Sequence, residues 1–86
     1  MSIIFSNQAW EQYLEWQQQD RKTLRKINRL LHDIQRNGSM KGIGKPEALK
    51  FRPGFSRRID EANRLVYDLS GGEIIVISCR GHYEEN

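Results

Sequence analysis

The sequence is poor in the residues that build covalent or metal-stapled folds. Its 86 positions hold one cysteine, Cys79, two histidines and two prolines. One thiol closes no internal disulfide and supplies no cysteine-rich zinc site, which points to a reducing, cytoplasmic setting. No stretch approaches the ~20 apolar residues of a membrane-crossing helix, so no membrane partner is expected. The N-terminus lacks the basic start and apolar run of a secretory signal. A glycine-rich Walker loop and a His-Glu-x-x-His helix are both missing, as is any internal repeat, and no cofactor or metal site is expected. Basic residues are themselves missing from residues 1–20, which carry only the acids Glu11, Glu15 and Asp20.

What is there is unevenly spread. Residues 21–58 hold twelve Lys and Arg against Asp33 and Glu47, while residues 59–86 hold Arg64 and Arg80 against six acids. The overall charge of +3 therefore conceals a strongly basic middle between acidic flanks. Such a middle suits a polyanion, nucleic acid above all, although a solvated basic helix looks the same in composition. Three Phe, three Tyr and two Trp argue for a packed chain despite a mean hydropathy of −0.76. The length suits one domain, residues 1–86.

The periodicity predicts an α+β domain of order β-α-α-β-β-β. Ile3-Ile4-Phe5 reads as a strand, and Ser6 or Asn7 caps a helix whose apolar face is Trp10, Tyr13 and Leu14. Asp20 caps a second helix with the stripe Leu24, Ile27, Leu31 and Ile34, and Leu30 beside it. Arg21, Lys22, Arg25, Lys26 and Arg29 crowd the rest of that helix, and Asn37-Gly38 stops it. A glycine- and proline-punctuated loop spans residues 38–48. Strands are expected at Leu49–Phe51, Phe55–Asp60 and Arg64–Leu69. A last one, Ile74–Ile77, is almost continuously apolar and so expected inside the sheet. The helical hairpin would cover one face of a twisted, mainly antiparallel sheet.

Few residues could carry chemistry. Glu47 lies in the basic loop, Arg57, Arg58, Arg64 and Arg80 lie on or beside strands, and His82 and Tyr83 follow the last strand. Strand pairing could gather them on the open face. A carboxylate, guanidiniums, an imidazole and a phenol suit RNA cleavage without a metal. One group removes the 2′-hydroxyl proton, another protonates the leaving 5′-oxygen, and arginine holds the phosphate. Each residue also has a plainer role, which spacing alone favours for Glu47. Glu47 could pair with Lys45 or Lys50, Arg57 and Arg58 could guard a sheet edge, and Arg64 could pair with Asp60 or Glu61. His32 and His82 could be solvated, Tyr83 a packing residue and Cys79 a small core residue.

Four ordered blocks narrow this choice: Gly44-Lys45-Pro46-Glu47-Ala48-Leu49-Lys50, Ser56-Arg57-Arg58-Ile59, Asn63-Arg64-Leu65-Val66-Tyr67 and Cys79-Arg80-Gly81-His82-Tyr83. With Phe5-Ser6, Tyr13-Leu14-Glu15-Trp16 and Lys26-Ile27-Asn28-Arg29-Leu30, they resemble the YoeB/Txe toxins of the RelE superfamily over nearly the whole chain. The resemblance implies a microbial RNase-like fold and a ribosome-dependent mRNA endonuclease, the toxin of a type II toxin–antitoxin pair. It places the general base on Glu47, phosphate support on Arg64, the general acid on His82 and a functional role on Tyr83. Lys50, Arg58, Arg57 and Arg80 become candidate phosphate or RNA ligands. Arg21, Lys22, Arg25, Lys26 and Arg29 become a ribosomal RNA dock.

The implied partners are a YefM/Axe-type antitoxin, the ribosome with A-site mRNA, and a second copy of the toxin. Operator DNA is reached only through the antitoxin complex. An inactive relative serving as antitoxin-binding module and co-repressor is the alternative, and a generic RNA-binding protein a further one. Two departures from the family stand out. The turn between Lys50 and Arg57 is short, with Phe55 where tryptophan is common. The chain also runs past the His-Tyr pair into Glu84-Glu85-Asn86, acids expected to favour protonated His82.

Overall fold

The computed structural model describes residues 1–82. Strand β1 (Ser2–Phe5) leads into helices α1 (Asn7–Gln19) and α2 (Arg21–Asn37). Strands β2 (Glu47–Ala48), β3 (Phe55–Arg58), β4 (Arg64–Ser70) and β5 (Glu73–Ser78) follow. The sheet order is β1-β5-β4-β3-β2. β1 runs parallel to β5, and every other pairing is antiparallel. The expected α+β architecture is present, with four strands after the helices, as the individual strand expectations require and one more than the order β-α-α-β-β-β counts. The first of them, β2, pairs with Phe55 and Ser56 and stands at Glu47–Ala48 rather than at Leu49–Phe51, which lies just beyond it. Pro53 cannot donate to a ladder, so β3 offers a partner only from Phe55 onward. Leu49 instead donates its N–H to Gly54 O at 3.0 Å and closes the turn.

The caps act as their side-chain chemistry dictates. Ser6 Oγ accepts from Ala9 N at 3.0 Å and donates to Ile77 O at 2.9 Å, so one hydroxyl both starts α1 and ties it to β5. Asp20 accepts from Lys22 N and Thr23 N and from the Thr23 hydroxyl at 2.8 Å. Those bonds from Thr23 hold the Asp20 carboxyl below its ordinary value. Such a cap satisfies N–H groups that the first turn of a helix otherwise leaves unpaired. Ile27, Leu30, Leu31 and Ile34 of α2 pack on Leu65, Tyr67, Ile74 and Val76 of the sheet in one core. The buried face of α1 differs from expectation. Ala9 and Trp16 are buried, whereas Trp10 is 48% and Leu14 38% exposed. Positions 9 and 16 are two helical turns apart and share the sheet-facing stripe with half-buried Tyr13. Trp10 covers the flank instead, stacked on Tyr13 with its edge against Phe5.

The connection from α2 to β2 is fixed from inside by Arg57. Its parity on β3 turns it with Phe55 toward the helix layer, where it is fully buried. Nε donates to Tyr67 Oη at 3.0 Å. Nη1 donates to Asp33 Oδ2 at 2.5 Å and Ile43 O at 3.0 Å, and Nη2 to Gly38 O and Lys41 O, both at 2.8 Å. All five guanidinium N–H donors are thereby used. The Tyr67 hydroxyl donates to Ser39 O at 2.7 Å, and Ile43 N donates back to Asp33 Oδ2 at 3.1 Å. Gly42 sits so close that a Cβ there would fall 1.8 Å from Asp33 Oδ2.

Burial works against the Asp33 carboxylate. Hydrogen bonds from Arg57, Ile43 and Asn37, with the Arg57 charge, outweigh it and hold the carboxyl below the ordinary 3.8. A depressed carboxyl stabilises the fold above its unfolded value, and that contribution disappears as pH falls through the folded one. Asp33→Asn leaves Arg57 buried without its counter-charge, so a loss of about 3 kcal/mol is expected in urea unfolding at neutral pH. The variant should also lose part of the wild-type acid sensitivity below the ordinary carboxylate range.

Candidate active site on the open sheet face

Side chains of the opposite parity point away from the helices. Ser56 faces outward on β3, and Arg58 lies register-paired with Arg64 at the far end of the same strand pair. Arg64 is held there by its neighbours. Its Nε and Nη2 donate to Ser56 Oγ at 3.2 and 3.0 Å, and Nη2 lies 3.6 Å from Glu47 Oε2. The Arg64 side chain is mostly covered and the Glu47 side chain 66% exposed, so the carboxylate faces solvent beside a fixed guanidinium. Glu47 is set opposite Ser56 by the β2–β3 register. Upstream, Gly44 O accepts from Arg58 N at 2.6 Å, which ties the loop held by Arg57 to the strand before Glu47 begins.

The C-terminal arm enters from the other side. Cys79 N donates to Gln12 Oε1 at 2.7 Å and Cys79 O accepts from Trp16 Nε1 at 2.9 Å, pinning the chain to α1. Gly81, at a φ of +81°, exchanges hydrogen bonds with the start of β4. His82 then lines a cleft of about 570 Å³ with Glu47, Lys50, Phe51, Ser56 and Arg64. Four of the residues expected in the site, Glu47 and Lys50 from one segment, Arg64 from β4 and His82 from the C-terminal arm, thus line one cleft. Tyr83 and the Glu84-Glu85 extension lie outside the described residues.

Two candidate ligands of RNA phosphate face elsewhere. Arg57 has no donor left for a phosphate, because burial among backbone carbonyls makes it a structural clamp. Arg80 turns to α1, its guanidinium 4.6 Å from the Trp16 ring centroid, and donates to Glu15 and Gln19 at 3.0 and 3.1 Å. Arg58 is exposed on the open face outside the cleft lining. On α2, Arg21, Lys22, Arg25 and Arg29 are exposed and Lys26 half-buried, and Lys22, Arg25 and Arg29 border one shallow recess. Sequence reasoning missed Ser56, Asn63 and Phe51. Strand parity pointed to Ser56, and nothing local singled out the other two. Among the described residues, no group of three or more His, Cys, Asp and Glu could hold a metal ion. None of their helices is long and apolar enough to cross a membrane.

A small α+β domain with helices on one sheet face and an acid–arginine–histidine cleft on the other is the class this geometry defines. Residues 5–83 match the profile of the YoeB-like toxins of bacterial type II toxin–antitoxin systems, and the chain belongs to that family. It is 44% identical to toxin YoeB of Streptomyces coelicolor and to toxin YoeB of Escherichia coli K12, over 96% of this chain and all of each relative. Among solved structures, the heterotetrameric YoeB–YefM complex of Staphylococcus aureus contains a chain 48% identical, with a TM-score of 0.90 over 96% of this chain and 98% of that one. The YoeB/ParE toxin of Agrobacterium tumefaciens gives 0.92 at 38% identity, over 96% and 100%.

Cys79 is no nucleophile for this cleft. It is fully buried, and burial first, then the Glu15 charge, pushes its thiol up to about 12. A thiolate is needed for disulfide exchange. The native chain should therefore resist a disulfide-exchange reagent at pH 8 and react stoichiometrically once unfolded in urea.

Proposed function

We propose that the chain is a ribosome-dependent mRNA endoribonuclease whose side chains carry the acid–base chemistry. The convergence of Glu47, Lys50, Arg64 and His82 in one open cleft carries the reading. With mRNA presented in the ribosomal A site, the exposed Glu47 carboxylate removes the 2′-hydroxyl proton and the oxygen attacks the adjacent phosphorus. Arg64, fixed by Ser56, stays in place to meet the non-bridging oxygens as charge builds, with Lys50 beside it. His82 protonates the departing 5′-oxygen, and Tyr83 serves the same reaction. The products are a 2′,3′-cyclic phosphate or 3′-phosphate and a 5′-hydroxyl. DNA, without the 2′-hydroxyl, is not cut. An open cleft suits a substrate that the ribosome holds in place.

The exposed cations of α2, Arg21, Lys22, Arg25 and Arg29 with Lys26, form the dock for ribosomal RNA, and their contribution falls as salt rises. Arg58, exposed on the open face, is a further contact for RNA. The Staphylococcus aureus relative assembles with YefM, which supports a YefM-type antitoxin here. Operator DNA is then reached through that complex, and a second copy of the toxin is a further partner. The chain works in the cytoplasm, where its substrate is.

A purified translation system with a defined mRNA tests this. The wild-type chain should give codon-positioned cuts. Glu47→Ala and His82→Ala should each lower the cleavage rate about 10²–10⁴-fold while still binding antitoxin. Arg25→Glu with Lys26→Glu should weaken ribosome binding. Uncut mRNA from a wild-type chain that binds antitoxin normally would make it a binding module instead.

A further inference from the structure

Arg64 and His82 lie eighteen positions apart in sequence, and one side chain joins the segments that carry them. Asn63 Oδ1 accepts from Gly81 N at 2.8 Å, while Arg64 N donates to Gly81 O at 3.0 Å. The residue before His82 is thus gripped on both sides by Arg64, which opens β4, and by Asn63 just before it. The direction of the Asn63 amide is dictated by Asp60. A carboxylate only accepts, so the amide NH₂ must face it, and Nδ2 donates to Asp60 Oδ1 and Oδ2 at 3.0 and 3.2 Å. That turns the amide oxygen toward Gly81. Asp60 Oδ1 is itself held by Ala62 N and Asn63 N, both at 2.8 Å. Ile59 N and Asp60 N donate to Asn63 O at 2.9 and 3.2 Å, closing the same turn.

Gly81 needs such a grip. It takes the left-handed backbone at φ +81°, where a glycine is free to adopt other conformations. Cys79 and Arg80 are pinned to α1 by Gln12, Trp16 and Glu15. After them, the Asn63 amide and the Arg64 N–H are the last described restraints before the imidazole. We infer that Asn63 is a positioning residue for His82, acting with Asp60 as the lock that sets its amide. This rests on the reading of His82 as the general acid. Asn63 touches no reacting atom. It aims the acid at the leaving oxygen while its neighbour Arg64 holds the phosphate.

Single-turnover cleavage of ribosome-bound mRNA is the test, with two substrates. One carries the ordinary scissile 5′-oxygen and the other a 5′-sulfur, which departs as a thiolate without taking a proton. Asn63→Ala should cut the oxygen-linked mRNA about tenfold to a hundredfold more slowly, since an ångström of misplacement costs that much. Its half-saturating ribosome concentration should not change. It should cut the sulfur-linked mRNA at the wild-type rate, and adding Asn63→Ala to His82→Ala should slow the oxygen substrate no further. Asp60→Asn, which keeps Asn63 and releases its amide, should show a smaller loss of the same kind and serves if Asn63→Ala fails to fold. Equal losses on both substrates, or no loss on either while His82→Ala is inactive, overturn the positioning role alone. A His82→Ala chain that cuts the oxygen-linked mRNA at the wild-type rate removes the parent reading and the inference with it.

Discussion

A single buried guanidinium organises the half of the molecule that carries the cleft. Arg57 lies in the layer between sheet and helices and spends its five donors on Asp33, Tyr67 and three loop carbonyls. A buried cation is costly unless every donor is met and a counter-charge is near, so these partners are mutually required. The loop after α2 gains no helix or sheet ladder of its own between residues 38 and 46. Its carbonyls at Gly38, Ser39, Lys41 and Ile43 instead accept from Arg57 and Tyr67. That is how a segment of exposed, glycine-punctuated chain is delivered in one conformation to β2, and how Glu47 arrives opposite Ser56.

The alternation of β3 divides labour within four residues. Phe55 and Arg57 face the helices and fix the scaffold, whereas Ser56 and Arg58 face outward. Ser56 then holds Arg64, which stands beside Glu47. The second half of the cleft comes from the far end of the chain. There α1 contributes Gln12 and Trp16, and the turn at residues 59–63 contributes Asn63, so the arm bearing His82 is laid against β4. The Glu47 side of the cleft and the arm bearing His82 are therefore held by two separate sets of hydrogen bonds that meet at Arg64. In a domain of this size there is little room for a deep pocket, and the structure builds an open one from backbone register and a few polar anchors.

Much of this was legible in the sequence. Cap chemistry at Ser6 and Asp20, the α2 stripe and the unbroken apolar run of β5 all lie where local rules place them. The ordered blocks also named Glu47, Lys50, Arg64 and His82, which line one cleft. The failures have physical causes. Trp10 and Leu14 satisfied helical spacing, but so did Ala9 and Trp16, and a small residue that permits close packing carries no hydrophobic signal. Arg57 read as a surface charge because its neighbour Arg58 is one. The hint lay elsewhere: Asp33 is the only acid in residues 21–46, a natural counter-charge for a buried cation. Arg80 could not be assigned to α1 without knowing that Trp16 ends beneath it. Asn63 was invisible because its role depends on a partner eighteen residues away.

Arg57 builds the cleft, and in the proposed function Glu47, Arg64 and His82 are the residues that meet the RNA. The most direct measurement is a structure of the chain on a ribosome programmed with mRNA blocked by a 2′-O-methyl group at the scissile nucleotide. The Glu47 carboxylate should lie at the 2′-oxygen, Arg64 on the phosphate and His82 at the 5′-oxygen, with Arg57 still buried on Asp33. An mRNA phosphate seated on Arg57, or a scissile phosphate lying outside the Glu47–Arg64–His82 cleft, would contradict it.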